Sequence, residues 1–293
     1  MFWMNKTAMI LCILLGLALV LFPERSAEAQ GEQASGSENT VQRQIPVQAT
    51  QGVAVDENYF YAISNTKIVK YDKKKAHEIA TWNADKKKKE YEHFTHMNSG
   101  TVIEGKLYCA HSQYWVDPND NTVEIWNIEG EALTHEKTIP MPREHGSLVW
   151  IDRRSDGSWW MCYAVYGKNK NKDTRLVRYH YKNKKFIEVD KWVFPKQVVA
   201  NWKTWSCSGG SWGPDGFLYV TGHDGACVYV LEFDSDNQLR YVRTEKDVGI
   251  DGQAIAWDRF SARPILWGII KNKKVSLTLI PKKKDEQRNQ PGR

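Results

Sequence analysis

The sequence predicts an all-β fold, a single β-propeller of five blades with four antiparallel strands each. One pattern occurs five times: a turn, then two large apolar residues, then a strand of small residues. Each occurrence follows another apolar strand, which ends in an acidic turn. No long helical pattern interrupts these short strands, as expected of a repeat architecture. The five units lie at residues 60–63, 107–110, 159–162, 218–221 and 266–269.

The spacing of the units is that of propeller blades. The second large residue of one unit is separated from that of the next by 47, 52, 59 and 48 residues. With their acidic turns, the preceding strands cover residues 52–56, 100–104, 147–152, 211–215 and 254–258. Third strands with alternating polarity are predicted at 67–71, 122–126, 175–179, 227–233 and 275–280, and fourth strands at 77–82, 134–139, 186–194 and 239–248.

The fifth unit has no fourth strand before the chain ends, but residues 41–47 read as one. We therefore predict that this N-terminal strand completes the last blade, which closes the ring without a free edge. The alternative is an irregular β-sandwich, favoured by the weak Arg263-Pro264 turn of the fifth unit. Residues 40–281 then form one propeller domain.

The first residues have the order of a secretory signal peptide. Lys6 precedes an apolar run at residues 8–22, and Ala27-Glu28-Ala29 supplies the small residues of a cleavage site. A retained anchor is the alternative, but the run is shorter than the roughly 20 residues that span a membrane. We expect residues 1–29 to be removed. The mature protein should be secreted or periplasmic, without stable membrane insertion. Residues 30–39 should form a disordered linker and residues 282–293 a basic disordered tail.

The formal net charge of +6 comes mainly from lysine runs at residues 73–75, 86–89 and 282–284. Solvated loops explain these runs, and attraction to anionic polymers or a membrane surface is the alternative. Nothing in the sequence indicates nucleic-acid binding or favours a particular oligomeric state. The four cysteines beyond the signal peptide lack metal-type spacing, and Cys109, Cys162 and Cys227 fit buried thiols in apolar strands.

Histidines collect at one end of the predicted channel. The starts of first strands and the ends of second strands open on the same face of a propeller, which brings His96, His111, His145 and His223 to one mouth. Imidazole is the commonest metal ligand and the usual general base near neutral pH. We predict His96, His111 and His223 as ligands of a divalent transition metal, and His145 and Asp224 as catalytic acid-base residues. The alternative is that these histidines only form structural hydrogen bonds.

Polar and aromatic residues at the same mouth are candidates for binding a small polar ligand or a carbohydrate. They are Gln51, Asn98, Trp205 and Ser208. Other tryptophans, namely Trp126, Trp150, Trp192 and Trp257, fit packing between blades. The glycine-rich segment 208–213 is neither a phosphate-binding loop nor a nucleophile elbow, because the strand–turn–helix context is missing.

Several segments resemble exported bacterial β-propeller proteins, some of which are loosely labelled as cycloisomerases. They are 51–56, 98–100, 108–112 and, above all, Gly209-Gly210-Ser211-Trp212-Gly213-Pro214-Asp215-Gly216-Phe217-Leu218-Tyr219-Val220-Thr221-Gly222-His223-Asp224. The resemblance covers most of residues 47–270 and implies the propeller fold. Propellers of similar architecture include lactonizing enzymes and lyases that hold a divalent metal with histidines and a glutamine, which would make Gln253 or Gln51 a ligand.

Two functions follow as hypotheses. The first is an exported enzyme that acts on a small polar substrate, a carbohydrate or a carboxylate, by lyase, isomerase or hydrolase chemistry. The second is a non-catalytic propeller that binds a glycan or a protein partner. The fold alone does not decide between them.

Overall fold

Five antiparallel sheets of four strands each form the part of the chain that the structure, a computed structural model, describes: residues 38–116, 120–223 and 225–282. Strand β1 spans Thr40–Pro46 and belongs to the last blade. Blade 1 consists of β2 (Gly52–Val55), β3 (Tyr59–Ile63), β4 (Lys67–Asp72) and β5 (Glu78–Asn83). Blade 2 consists of β6 (Met97–Ile103), β7 (Lys106–Gln113), β8 (Asp120–Asn127) and β9 (Thr134–Met141).

The remaining blades follow the same order. Blade 3 consists of β10 (Ser147–Arg153), β11 (Trp159–Ala164), β12 (Arg175–Lys182) and β13 (Lys185–Val193). Blade 4 consists of β14 (Cys207–Trp212), β15 (Leu218–Gly222), β16 (Val228–Phe233) and β17 (Leu239–Glu245). Blade 5 consists of β18 (Ile255–Trp257), β19 (Ile265–Ile270), β20 (Lys274–Leu279) and β1. The predicted five-bladed propeller is confirmed.

The ring closes through the N-terminal strand, as the sequence predicted. β1 pairs antiparallel with β20, from Thr40 opposite Leu279 to Pro46 opposite Lys274. Ile45 and Val47 are buried in a core cluster with residues of blades 1 and 5, including Phe60. The outer edge of β20 is therefore covered, and the irregular sandwich considered as an alternative does not form.

Burial follows the position of a strand within its blade. The first strands β2 and β18 are buried at every residue, because neighbouring blades cover both faces. The outermost strand β13 is exposed or half-buried along its whole length. Of the tryptophans predicted to pack between blades, Trp126, Trp150 and Trp257 are buried, and Trp192 stacks on Trp160 with ring centroids 5.4 Å apart.

Helices are short in the described residues. The α-helix α1 spans Lys196–Val199, and 3-10 turns occupy Lys89–Tyr91 and Asn171–Asp173. No helix found there is long and apolar enough to cross a membrane. The four cysteines of this part are free thiols, with Cys109, Cys162 and Cys207 buried and Cys227 half-buried.

Connections alternate between the two ends of the propeller because consecutive strands are antiparallel. Connections that follow the second and fourth strand of a blade lie at one end, which we call the mouth face. Connections that follow the first and third strands lie at the opposite face. The predicted signal peptide and most of the predicted linker and tail lie outside the described residues.

Candidate functional site

A cavity of about 240 Å³ opens at the mouth face of the channel. Its walls come from all five blades, since the starts of first strands and the ends of second strands converge there, as the topology predicts. The residues that line it are Gln51, His96, Asn98, Tyr114, Val149, Tyr166, Trp205, Ser208, His223 and Gln253. We call it the mouth cavity.

The structure brings most of the predicted site residues together in this cavity. Seven of the ten candidates line it: Gln51, His96, Asn98, Trp205, Ser208, His223 and Gln253. Their shared location was predictable, because each stands at the start of a first strand, at the end of a second strand, or in a connection between them. Their roles in binding or catalysis stay predictions.

Aromatic rings form a continuous arc along the rim of the cavity. Tyr114 contacts Trp115 and Tyr166, with ring centroids 4.9 and 5.9 Å apart. Tyr166 contacts Trp205 at 5.6 Å, and Trp205 contacts His223 at 5.5 Å. We call Trp115, Tyr114, Tyr166, Trp205 and His223 the aromatic arc.

The arc is open to solvent at its ends. Trp115 is 56% exposed, Trp205 41% and Tyr114 39%. The rings of the arc meet edge to face, at interplanar angles of 83°, 81° and 66° from Trp115 to Trp205, and exposed apolar rings that touch one another are typical of binding sites. Tyr114 and Trp115 were not among the predicted site residues, although Tyr114 directly follows a second strand and the same positional rule would have identified it.

The inner lining of the cavity is polar and held in place by hydrogen bonds. Asn98 Nδ2 donates to Ser112 Oγ at 3.2 Å and to the Leu148 carbonyl at 3.0 Å. The Gln253 carbonyl accepts from Thr221 Oγ1 at 2.8 Å. The bonds to the Leu148 carbonyl and to the Gln253 carbonyl join neighbouring blades, and the side-chain amide of Asn98 is oriented by its two acceptors.

His96 is a lining residue whose pKa is shifted by its surroundings. Burial lowers the pKa of its imidazole to about 4, and a hydrogen bond with Asn98 offsets only part of that effect. The ring also packs against Tyr114, with centroids 5.0 Å apart. His96 is therefore a neutral imidazole at neutral pH, able to accept or donate a hydrogen bond.

His111 lies away from the mouth cavity. Its Nε2 accepts from the Thr95 amide at 3.2 Å, so Nδ1 carries the proton and donates to Thr122 Oγ1 at 3.0 Å. Thr122 donates in turn to Glu124. Burial lowers the pKa of His111 to about 4, with the nearby Glu124 charge opposing that shift. Both ring nitrogens of His111 are thus engaged in an internal network.

Glu124 is the centre of that network and is fully buried. His93 Nε2 lies 2.9 Å from Oε1, His135 Nε2 lies 2.8 Å from Oε2, and Thr138 Oγ1 donates to Oε2 at 2.7 Å. Burial alone would raise the pKa of Glu124, but these side-chain hydrogen bonds outweigh it and lower the pKa to about 2. The cluster was not predicted, because its members come from two strands and a loop.

The two predicted acid-base residues have different outcomes. His145 Nε2 lies 2.7 Å from Glu188 Oε2 on β13, and His145 is absent from the lining of the mouth cavity. Asp224 lies outside the described residues. Within residues 38–116, 120–223 and 225–282, no group of three or more His, Cys, Asp or Glu side chains is arranged to hold a metal ion. The structure therefore does not bring the four histidines to one point, and the metal ligands stay predictions.

Comparisons with known proteins identify the fold and no family. No family model and no curated protein matches the chain. Glutaminyl cyclase from Myxococcus xanthus is similar in structure, with a TM-score of 0.57 and 11% identity over 83% of this chain and 97% of that chain. At this identity the likeness is one of fold.

Two further solved structures are similar over the same share of the chain. A putative glucose dehydrogenase from Thermus thermophilus gives a TM-score of 0.48 with 10% identity, over 83% of this chain and 100% of that one. Virginiamycin B lyase from Staphylococcus aureus gives a TM-score of 0.45 with 10% identity, over 83% of this chain and 100% of that one. The resemblance to exported cycloisomerase-like proteins thus extends to the propeller fold, and no sequence family supports it further.

Proposed function

We propose that this protein is a carbohydrate-binding β-propeller that takes a sugar ring into the mouth cavity. The observation that carries the proposal is the pairing of an aromatic wall, formed by Tyr114, Tyr166 and Trp205, with an inner lining of neutral polar groups. Clefts with apolar walls and a few oriented polar groups are the usual form of small-molecule sites.

The chemistry of the lining suits a sugar. A sugar ring has an apolar face of C–H groups, which packs on aromatic rings, and hydroxyl groups at its edge that both donate and accept hydrogen bonds. Side-chain amides also donate and accept, and Gln51 and Gln253 provide two of them at the cavity, whereas Asn98 Nδ2 already donates to Ser112 and Leu148. The volume of about 240 Å³ lies below the roughly 300–1,000 Å³ of sites for larger ligands, so one ring is the expected occupant.

A second candidate function is catalysis at the same cavity. His96 and His223 line it, and imidazole is the commonest metal ligand in proteins. In this alternative a divalent metal would be held by His96, His223 and Gln253, and the substrate would be a small carbohydrate or carboxylate. In both candidates the protein is exported, as the predicted signal peptide implies.

The test of the binding proposal is a screen of the tag-free mature protein against neutral and acidic oligosaccharides, followed by calorimetry of the ligands that bind. Trp205→Ala should weaken binding about tenfold, because one exposed ring is lost from the wall. Tyr241→Ala is the matched control, since Tyr241 is exposed on β17 and does not line the cavity. Equal affinity of Trp205→Ala and wild type, or no binding to any oligosaccharide, would contradict the proposal.

Elemental analysis distinguishes the second candidate. About one equivalent of a transition metal in the wild type, lost in both His96→Ala and His223→Ala, would favour metal-assisted catalysis. Retention of the metal in both variants would place it elsewhere on the protein. If no metal binds after incubation with zinc or manganese, the metal-dependent candidate fails.

A further inference from the structure

Charge is divided unequally between the two faces of the propeller. In the sequence, the ten connections of the mouth face contain thirteen Lys and Arg residues against nine Asp and Glu residues. The nine connections of the opposite face contain seven Lys and Arg residues against ten Asp and Glu residues. The basic excess of the protein is therefore concentrated on the face that carries the mouth cavity.

Most of this excess lies in two connections that also supply the cavity wall. Residues 165–174 contain Tyr166, and residues 194–206 contain Trp205. Within them, five lysines stand against a single carboxylate, Asp173, which lies 4.0 Å from Arg175. The five are Lys168, Lys170, Lys172, Lys196 and Lys203, and we call these two connections the lysine loops.

The lysine loops are joined to each other as well as to the cavity. The Gly167 amide donates to the Thr204 carbonyl at 3.1 Å, and Asn171 Nδ2 donates to the Lys203 carbonyl at 2.8 Å. Asn171 is buried, whereas all five lysines are exposed. The connections that supply Tyr166 and Trp205 to the cavity are therefore also the backbone from which the five lysine side chains extend.

The five lysine ammonium groups make no ion pair within the part of the chain that the structure describes. None of them has a carboxylate partner within 4.0 Å among the described residues. The described residues that line the cavity supply amides, hydroxyls, aromatic rings and histidines, and none of them is a carboxylate or a lysine. A ligand at this site thus meets described lining residues without carboxylate or lysine, and two cationic loops on the side of blades 3 and 4.

From this arrangement we propose that the natural ligand is an acidic glycan, a polymer of sugar rings that bear carboxylate groups. One ring occupies the mouth cavity, and acidic groups on neighbouring rings face the lysine loops. The inference rests on the proposed function, because the aromatic cavity selects the ring and the lysines select its charge. Cationic surfaces of this kind also raise the rate of encounter with anionic partners, an effect that salt reduces.

The experiment compares two polymers with the same backbone. Polygalacturonate carries a carboxylate on each ring, and its methyl ester is neutral. We expect the wild type to bind polygalacturonate oligomers at least tenfold more tightly than the ester at low salt, and the difference to shrink as salt rises.

Two charge-neutralised variants locate the effect. The variant K168Q/K170Q/K172Q should lose about tenfold in affinity for the acidic oligomer, since three cations that attract its carboxylates are removed. The matched control is K74Q/K75Q/K184Q, which removes three exposed lysines from the opposite face and should bind as the wild type does.

The outcomes separate the two proposals. If the ester binds as tightly as the acid, and K168Q/K170Q/K172Q binds both normally, the acidic-glycan inference is overturned while the carbohydrate proposal stands. If the acid binds through the lysines but Trp205→Ala binds equally well, the ring is not in the cavity and both proposals fail. Equally tight, Trp205-independent binding to phosphatidylglycerol vesicles would also overturn the inference, since a membrane surface would then explain the lysines.

Discussion

Arg259 Nη2 donates to Asp152 Oδ2 at 2.6 Å, at the end of the channel opposite to the mouth cavity. Asp152 belongs to blade 3 and is buried. Its carboxylate also accepts from Thr101 Oγ1 of blade 2 at 2.8 Å, and from Ser211 Oγ and the Trp212 amide of blade 4 at 3.1 and 2.8 Å. The Asp152 side chain thus connects its own blade 3 by hydrogen bonds to blades 2 and 4, and through Arg259 to blade 5.

Asp152→Ala should therefore destabilise the protein strongly. The substitution leaves the buried Trp212 amide without its acceptor, and an unsatisfied buried donor typically costs about 1–3 kcal/mol, whereas the exposed Arg259 guanidinium can be hydrated. Urea unfolding followed by tryptophan fluorescence measures the change in the free energy of unfolding. Arg263→Ala, at an exposed arginine four residues from Arg259, is the control and should unfold as the wild type does. A similar midpoint for both variants would mean that Asp152 does not join the blades energetically.

Closure of the ring predicts a sharp dependence on the N-terminal strand. A chain that begins at Gln48 lacks β1, which leaves β20 as an open edge and removes the buried side chains of Ile45 and Val47. We expect this chain to lose cooperative thermal unfolding and to aggregate, whereas a chain that begins at Glu38 should unfold cooperatively.

A synthetic peptide of residues 38–47 should partly restore folding of the shortened chain, because it can re-form the pairing with β20. Circular dichroism and size-exclusion chromatography measure both effects. If the chain that begins at Gln48 unfolds as cooperatively as the longer one, the N-terminal strand is not needed for closure.

The fold was predictable because its signals are local. Alternating polarity marks each strand, and tight acidic turns mark each hairpin, so repetition alone revealed five blades. The closing strand was found because one unit lacked its fourth strand. Positions along a strand also predicted the mouth cavity, since the ends of antiparallel strands converge by topology.

The direction of individual side chains was less predictable. His111 stands near the end of a second strand, but β7 continues to Gln113 and its pairing with β6 is irregular between Met97 and Gly100. Because successive side chains of a strand point to opposite faces, Ser112 lies toward Asn98 and His111 lies toward Glu124. A shift of one residue decides which face a side chain occupies, and no local pattern specified it.

Partners from distant strands were equally hidden. His145 is engaged by Glu188, which lies 43 positions later on the outermost strand of the same blade. The register of β12 with β13 is irregular between Arg178 and Tyr179, so simple counting of alternating residues would not identify this pair. The candidate site was therefore predicted as a location, and the division of its histidines between cavity and scaffold required three-dimensional coordinates.

Gly210 should not tolerate a side chain. A Cβ atom at this position would lie 2.4 Å from Cε2 of the buried Trp150 ring of the neighbouring blade. Gly210→Ala should lower the free energy of unfolding by about 3 kcal/mol, because the ring has no space into which to move. Gly225→Ala is the matched control, since its Cβ would meet its nearest neighbour, Cys227 Sγ, at an ordinary 3.5 Å. Equal unfolding midpoints of the two variants in urea would show that blade 3 can move away from blade 4 at little cost.

Acid should destabilise the protein through its buried histidines. The pKa of His111 is lowered by burial to about 4 in the folded state, against 6.5 as its ordinary value. The unfolded chain therefore binds a proton between pH 6.5 and 4 that the folded chain does not, so the stability that this group contributes is complete above pH 6.5 and is lost as the pH falls toward 4. The loss amounts to at most about 3 kcal/mol for this residue. His96, with its pKa also lowered to about 4, should add a similar loss.

His111→Gln separates one histidine from the rest. A glutamine can donate to Thr122 and accept from Thr95 but takes up no proton, so the variant should lose less stability than the wild type between pH 6.5 and 4, whatever its stability at pH 7. Glu124 affects stability in a different pH range, because its pKa is lowered to about 2 and its contribution to the free energy of unfolding falls only below pH 4.5. His180→Gln, at an exposed histidine, should keep the wild-type slope of unfolding free energy against pH. If His111→Gln also keeps the wild-type slope, protonation of His111 does not drive the acid transition. The loss of wild-type stability at low pH must then come from other groups.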